Sequence, residues 1–320
     1  SIARDLGTLV GRLVAEGADS LFFMGSGGAG ILMQPATDLM RRASNLPCHN
    51  VLCAEIVLTG HVALGPKSVV IMPSLSGTTK ESIAAMDYVK ARGATVISIT
   101  GHADTPLAKG ADHAFVNFAE DDTSCEMFYV TSLVAALSAM QARGERSDYD
   151  RISGELAGLP QQLLAVKQAF EPRADALAQA IAGDGWHILT GSGAAWPEAY
   201  YYGMCILEEM QWIRTRPVHA SDFFHGTLEL VEKGVSVVVF AGEDETRPLT
   251  DRVIAFAKGY TDKLTVLDTR DLATTGLSSD LRAMLAPALL ATVLERLSAH
   301  LEVMRNHPLV TRRYYKRVAY

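Results

Sequence analysis

Residues 20–30 read SLFFMGSGGAG and residues 185–195 read GWHILTGSGAA, each an apolar run that breaks into a turn of glycine and serine. This is how a buried parallel strand hands over to a helix. The downstream segments are alike in both places. A helical stretch leads to a second β-branched run, KSVVIMPS at 67–74 and VSVVVFAG at 235–242. After another helical stretch comes a third, ATVISIT at 94–100 and KLTVLDT at 263–269. Strand, helix, strand, helix, strand is therefore written twice, which predicts two α/β units, each a doubly wound, mainly parallel sheet flanked by helices. A chain of 320 residues has room for both. The expected domains are 1–150 and 151–320, parted within the polar region from Ser147 to Pro172 that carries Asp148, Asp150 and Arg151.

Composition narrows the partners. With a net charge of -7 the chain lacks the basic surface that nucleic acid demands, so an anionic small molecule would have to be held by local design. Cys48, Cys53, Cys125 and Cys205 form no CxxC pair and no zinc-spaced cluster with histidine, so no disulfide and no metal are expected. Apolar stretches such as Leu285 to Val293 contain Pro287 or run into Glu295 and Arg296, well short of the roughly 20 residues of a membrane span. Ser1 to Gly7, with Arg4 and Asp5, carries no signal-type apolar core. The cytoplasm is the expected location, with no membrane partner.

The loop Ser74-Leu75-Ser76-Gly77-Thr78-Thr79 comes after a strand and precedes the helical KESIAAMDYVKARG. Unpaired amides at a helix N-terminus attract an anion, four hydroxyls can add hydrogen bonds, and Gly77 lets the backbone approach closely. A plain N-cap needs one hydroxyl, and this loop offers four. Gly25, Gly27 and Gly30 also spell GxGxxG, which raises a nicotinamide-dependent oxidoreductase as a rival. Its ribose-binding acid is poorly placed, because Glu55 comes late and Asp38 falls in a predicted helix. No cofactor is therefore expected. In the second half the matching loop reads Gly242-Glu243-Asp244-Glu245-Thr246-Arg247, whose carboxylates would repel phosphate, so one phosphate site per chain is expected.

Ser74, Ser76, Gly77 and Thr79 match Ser-x-Ser-Gly-x-Thr, the phosphosugar motif of the SIS (sugar isomerase) family. The chain resembles its double-SIS members over nearly all its length. The resemblance implies that Gly25, Ser26 and Gly27 line a sugar-phosphate pocket beside Ser74, Ser76, Gly77, Thr78 and Thr79. It also implies roles for two residues of the second half: Glu209, near the end of a helix in LEEMQW, and His225, in FHG after a loop. In such relatives the glutamate moves a proton between C1 and C2, and the histidine reaches in from a neighbouring subunit to open the ring or protonate an oxygen. Both groups can be tuned toward neutral pKa, which suits them to take and return protons. The tail from Asn306 to Tyr320 reads NHPLVTRRYYKRVAY. By the same likeness Lys316 contacts the open-chain sugar, against the alternative of a strand or helix packed at a dimer interface.

Two departures from the isomerase domain of glutamine-fructose-6-phosphate transaminase bear on the reaction. Ile206 stands where that domain has a lysine, and Asp122-Thr123-Ser124-Cys125-Glu126 lacks its threonine-lysine pair. No glutaminase domain with an N-terminal cysteine lies within these residues. The likeness thus points to a deglycase of fructosamine (Amadori) 6-phosphates, acting as a homodimer or higher homo-oligomer. The alternatives are an aldose–ketose phosphosugar isomerase, an amino-sugar phosphate deaminase, or a non-catalytic phosphosugar sensor. A sensor would need no Glu209 and His225, and usually carries a DNA-binding helix-turn-helix for which the N-terminal stretch has little room.

Overall fold

The computed structural model describes residues 2–119, 123 and 125–319. Asp122 and Ser124, two members of the loop that lacks the threonine-lysine pair, lie outside the described residues. The chain divides into two compact units, Ser1–Ala157 and Gly158–Tyr320.

In the first unit β1 (Ser20–Gly25), β2 (Cys48–Leu52), β3 (Ser68–Ser74), β4 (Thr95–Thr100) and β5 (His113–Val116) form one sheet in the order β2-β1-β3-β4-β5, every pair parallel. β1 and β3 are buried along their whole length, as continuous apolar strands covered on both faces must be. On one face Phe22, Met24, Val70, Met72 and Val96 pack against Ile56, Met86, Val89 and Leu107 from the helices. Burial of each such side chain contributes about 1.5–3 kcal/mol. The helix Glu126–Ala142, buried from Phe128 through Met140, packs against the helix Ile2–Ala15.

The second unit repeats the scheme with four strands, β6 (Trp186–Gly191), β7 (Arg214–His219), β8 (Ser236–Ala241) and β9 (Lys263–Asp268), in the parallel order β7-β6-β8-β9. Long helices Leu159–Ala182 and Ala286–Met304 pack together, clamped by Lys167 on Glu295 at 2.5 Å and Arg296 on Glu171 at 2.6 Å. Among the described residues, no helix is long and apolar enough to cross a membrane.

Both sheets have a topological switch. The chain leaves β1 for β2 on one side and comes back on the other side for β3; β6, β7 and β8 do the same. The strands diverge there at their carboxyl ends, which opens a crevice where ligands of such sheets bind. The turns after β1 and β3, and after β6 and β8, flank these two crevices.

Candidate active site

Gly25 ends β1, and Ser26 and Gly27 form the turn into a short helix, Gly28–Ile31. Ser74 ends β3, buried, and its Oγ accepts the amide of Gly77 over 3.1 Å. The loop folds back because Gly77 has φ 59°, and a Cβ there would collide with Thr105. That left-handed backbone and the missing side chain both require glycine. The Ser76 hydroxyl accepts from Thr78 Oγ1 at 3.1 Å. Thr79 is the N-cap of the helix Lys80–Lys90 but makes no side-chain cap bond, so its hydroxyl is not spent as an ordinary cap would be. The two turns meet at the switch: Ser26 Oγ lies 3.4 Å from Ser82 Oγ, on the first turn of that helix. Beneath them burial pushes the Cys53 thiol up, against hydrogen bonds from Ser26 and Ser82, which makes it a packing group and not a nucleophile. The structure thus gathers Gly25, Ser26, Gly27 and the Ser74–Thr79 loop at the carboxyl ends of β1 and β3, beside the N-terminus of the helix Lys80–Lys90.

The corresponding crevice of the second unit is filled from within. Asp244 presents one carboxylate oxygen to the Ala194 amide at 2.8 Å and the other to the Thr246 amide at 2.9 Å. Thr246 Oγ1 donates to the same carboxylate at 2.5 Å. Gly193, at φ 53°, is forced to be glycine because a Cβ would strike that carboxylate. The loop is tied down on either side. Arg247 binds Asp268 at 2.5 Å and the Gly242 carbonyl at 3.0 Å, while Arg282 binds Glu243 at 2.7 Å. Burial alone would raise the Asp268 carboxyl, but the Arg247 guanidinium overrides it and holds it below the usual range.

Glu209 comes directly after a seven-residue π-helix, Tyr202–Glu208, and opens the last turn, Glu209–Gln211. One residue is gained per π-turn, which rotates the residues beyond it relative to an α-helix; such turns recur at functional sites. The helix stops at Trp212, whose φ of 57° is costly for a bulky residue and whose ring takes two contacts from the tail. His307 sits edge-on at 4.5 Å and the Arg313 guanidinium lies 3.9 Å from the centroid. The tail is thereby drawn onto the helix end, where Arg312 Nε donates to Glu209 Oε1 at 2.9 Å. Its described residues after Asn306 form turns and bends, so the strand or helix expected as one alternative for the tail is not present.

His225 is exposed just beyond the helix Ala220–Phe223, its amide donating to the Asp222 carbonyl at 2.9 Å. Lys316 is exposed, with Nζ 5.3 Å from the Tyr315 ring centroid. Ile206 is buried in the π-helix. Two residues escape a reading of the sequence. Asp244 reads as a mere repellent, and Arg312 as one of several tail cations; the basic-aromatic run at 312–316 was the only signal for the second.

The SIS domain family matches residues 16–143. The fructosamine deglycase of Bacillus subtilis (strain 168) is 31% identical, the match covering 100% of this chain and 98% of the relative. The fructoselysine 6-phosphate deglycase of Escherichia coli (strain K12) is 27% identical over 96% of this chain and 88% of its own. Among solved structures, a Bacillus subtilis protein assigned as a phosphosugar isomerase superposes with a TM-score of 0.92 at 30% identity, covering 99% of this chain and 97% of that one. The C-terminal domain of glucosamine-fructose-6-phosphate aminotransferase from Francisella tularensis, at 16% identity, shares the fold with a TM-score of 0.79 over 96% of this chain and 95% of its own. The chain belongs to the SIS domain family and is one of its enzymes.

Proposed function

We propose that the chain cleaves a fructosamine 6-phosphate into an aldose 6-phosphate and an amine. The observation that supports this most is Glu209, a carboxylate fixed at a helix end by Arg312, in a chain alike from end to end to a relative named as a fructosamine deglycase. In this reading the Ser74–Thr79 loop, with Gly25, Ser26 and Gly27, holds the phosphate. Glu209 removes a proton from C1 of the open-chain ketosamine and returns it to C2, which leaves an imine at C1. Water adds to that carbon, the C1–N bond breaks, and the amine departs with its electron pair and a proton. Hydrogen moves within the substrate, so no oxidant or reductant takes part, and water is the one co-reactant. His225, reaching into the site of a neighbouring copy in a homodimer, exchanges protons with the ring or carbonyl oxygen, and Lys316 meets the open-chain sugar. The setting is the cytoplasm, where the four buried thiols stay reduced.

Aldose–ketose isomerisation is the second reading, favoured by the likeness to a protein assigned as a phosphosugar isomerase. Purified protein presented with phosphorylated and unphosphorylated fructosamines separates them. Release of aldose 6-phosphate and amine from the phosphorylated compounds alone supports deglycation. Interconversion of hexose 6-phosphates without amine release supports isomerisation, and absence of both sinks the reading.

A further inference from the structure

We infer that Arg312 is the positioning residue for Glu209, which makes the tail around it part of the proton-transfer machinery. The inference rests on the role proposed for Glu209. Three features of the geometry carry it. First, the pair is set asymmetrically in solvent: the Arg312 side chain is 10% exposed and that of Glu209 32%, so the cation is the fixed member and the carboxylate the one open to a substrate. Second, the guanidinium is oriented before it meets the carboxylate. Its Nη1 donates to the carbonyls of Leu309 at 2.5 Å and Thr311 at 3.1 Å, which turns Nε toward Glu209 Oε1. A planar, permanently charged fork can satisfy both demands at once, as a lysine cannot. Third, the tail is anchored just ahead of Arg312. Gln211 Nε2 donates to the His307 carbonyl at 2.7 Å, and Arg305 Nη1 reaches the Gln211 carbonyl at 2.5 Å. Leu309 donates its amide to Glu302 at 2.9 Å.

The guanidinium meets the carboxylate through Nε–H on Oε1. A carboxylate gripped at that oxygen keeps a set rotation and its negative charge while it swings little, which is what a base must do if it is to return the same proton to the adjacent carbon. Glu209 lies beside the αL residue Trp212, at the end of a helix, where a side chain without such a grip has several rotamers open to it. Arg312 therefore acts through Glu209.

The test is steady-state kinetics of full-length protein, with release of aldose 6-phosphate from a fructosamine 6-phosphate as one assay and interconversion of hexose 6-phosphates as the other. Arg312→Met should lower kcat about 10- to 100-fold in whichever reaction the wild type performs, with KM within about threefold, because ground-state binding is untouched. Arg312→Lys should recover part of that loss. Arg173→Gln, which breaks a surface pair with Asp271 away from this helix end, should stay within about twofold of wild type. Should Arg312→Met fail to fold, Arg312→Gln, which can still bond the tail carbonyls, takes its place. Wild-type kcat in that variant, or a rise in KM with kcat unchanged, overturns the assignment while the function stands. A wild-type chain silent in both assays overturns the role of Glu209 and this inference with it.

Discussion

The backbone amide of Ala194 donates to the carboxylate of Asp244 over 2.8 Å, so the glycine turn of the second unit is occupied by the chain's own anion. In the first unit the like turn, Gly25 to Gly27, stands beside a loop of hydroxyls. One repeated arrangement thus takes two forms: in the first unit a loop of hydroxyls beside the turn, where we propose the phosphate is held, and in the second a turn whose amides the chain's own carboxylate satisfies. Asp244→Ala should leave the Ala194 and Thr246 amides without that acceptor and cost about 1.5–3 kcal/mol. For a unit of this size that lowers the melting temperature by about 3–10 °C in calorimetry. Asp244→Asn, which keeps one oxygen, should fall less. Equal melting of both variants and wild type would show that the carboxylate does not hold the turn.

Sugar 6-phosphates should raise the melting temperature while their unphosphorylated counterparts do not, with one equivalent bound per chain by titration calorimetry. Ser76→Ala combined with Thr79→Ala should abolish the shift. Each hydrogen bond to a charged group is worth about 1.5–3 kcal/mol, so affinity should drop more than about tenfold. A variant that binds as wild type removes the loop from the site, and two equivalents bound would contradict the closure by Asp244.

Glu209→Gln and His225→Asn should each lose about 10²-fold or more in turnover and keep phosphosugar affinity, as groups do that act on the transition state. Mixing the two inactive proteins tests whether they serve one site from two chains. Exchange of subunits should then restore activity in heterodimers, where one site has both native groups. Inactive mixtures that demonstrably exchange subunits would rule out the shared site.

His187 gives the second unit a pH dependence. The ring is fully buried, with Nδ1 2.7 Å from Ser236 Oγ and Nε2 3.1 Å from the Ile181 carbonyl. Nε2 donates to that carbonyl, so Nδ1 accepts from the serine hydroxyl and the neutral ring is satisfied. Burial holds its pKa below the ordinary value, outweighing the raising effect of Asp184. Below about pH 6.5 the unfolded chain takes up a proton that the folded chain refuses. Stability present at neutral pH is therefore lost as pH falls, by up to about 1.4 kcal/mol per unit for this one group. Urea denaturation from pH 7 to 5 should show that slope, and His187→Gln should be less stable at neutral pH and shallower by about one proton. A slope unchanged by the substitution would exclude His187 as its source.

The sequence by itself determined the two strand-rich units, the central strands and the place of the hydroxyl-rich loop after β3. Each is written in contiguous residues: a buried parallel strand must be an unbroken apolar run, as in Leu21 to Met24 or Val69 to Met72, and an anion loop must come at once after it. Edge strands obey no such rule. β2 (CHNVL), β5 (HAFV) and β7 (RTRPVH) are short, half-polar or interrupted by Pro217, and they become strands only because a neighbour offers hydrogen bonds; a proline is tolerated at an edge. Glu209 and His225 could be named from likeness to a family, since their neighbours LEEMQW and FHG are local signatures. What holds Glu209 could not, because Arg312 is 103 positions away and Arg313 and Lys316 beside it carry the same charge. Likewise the carboxylate of Asp244 reads as a repellent until the fold sets it against Ala194, 50 positions earlier. Residue type and local order specify which groups can do chemistry. Which of them meet is decided by packing, where a polar group taken from water must find its partner wherever in the chain that partner lies.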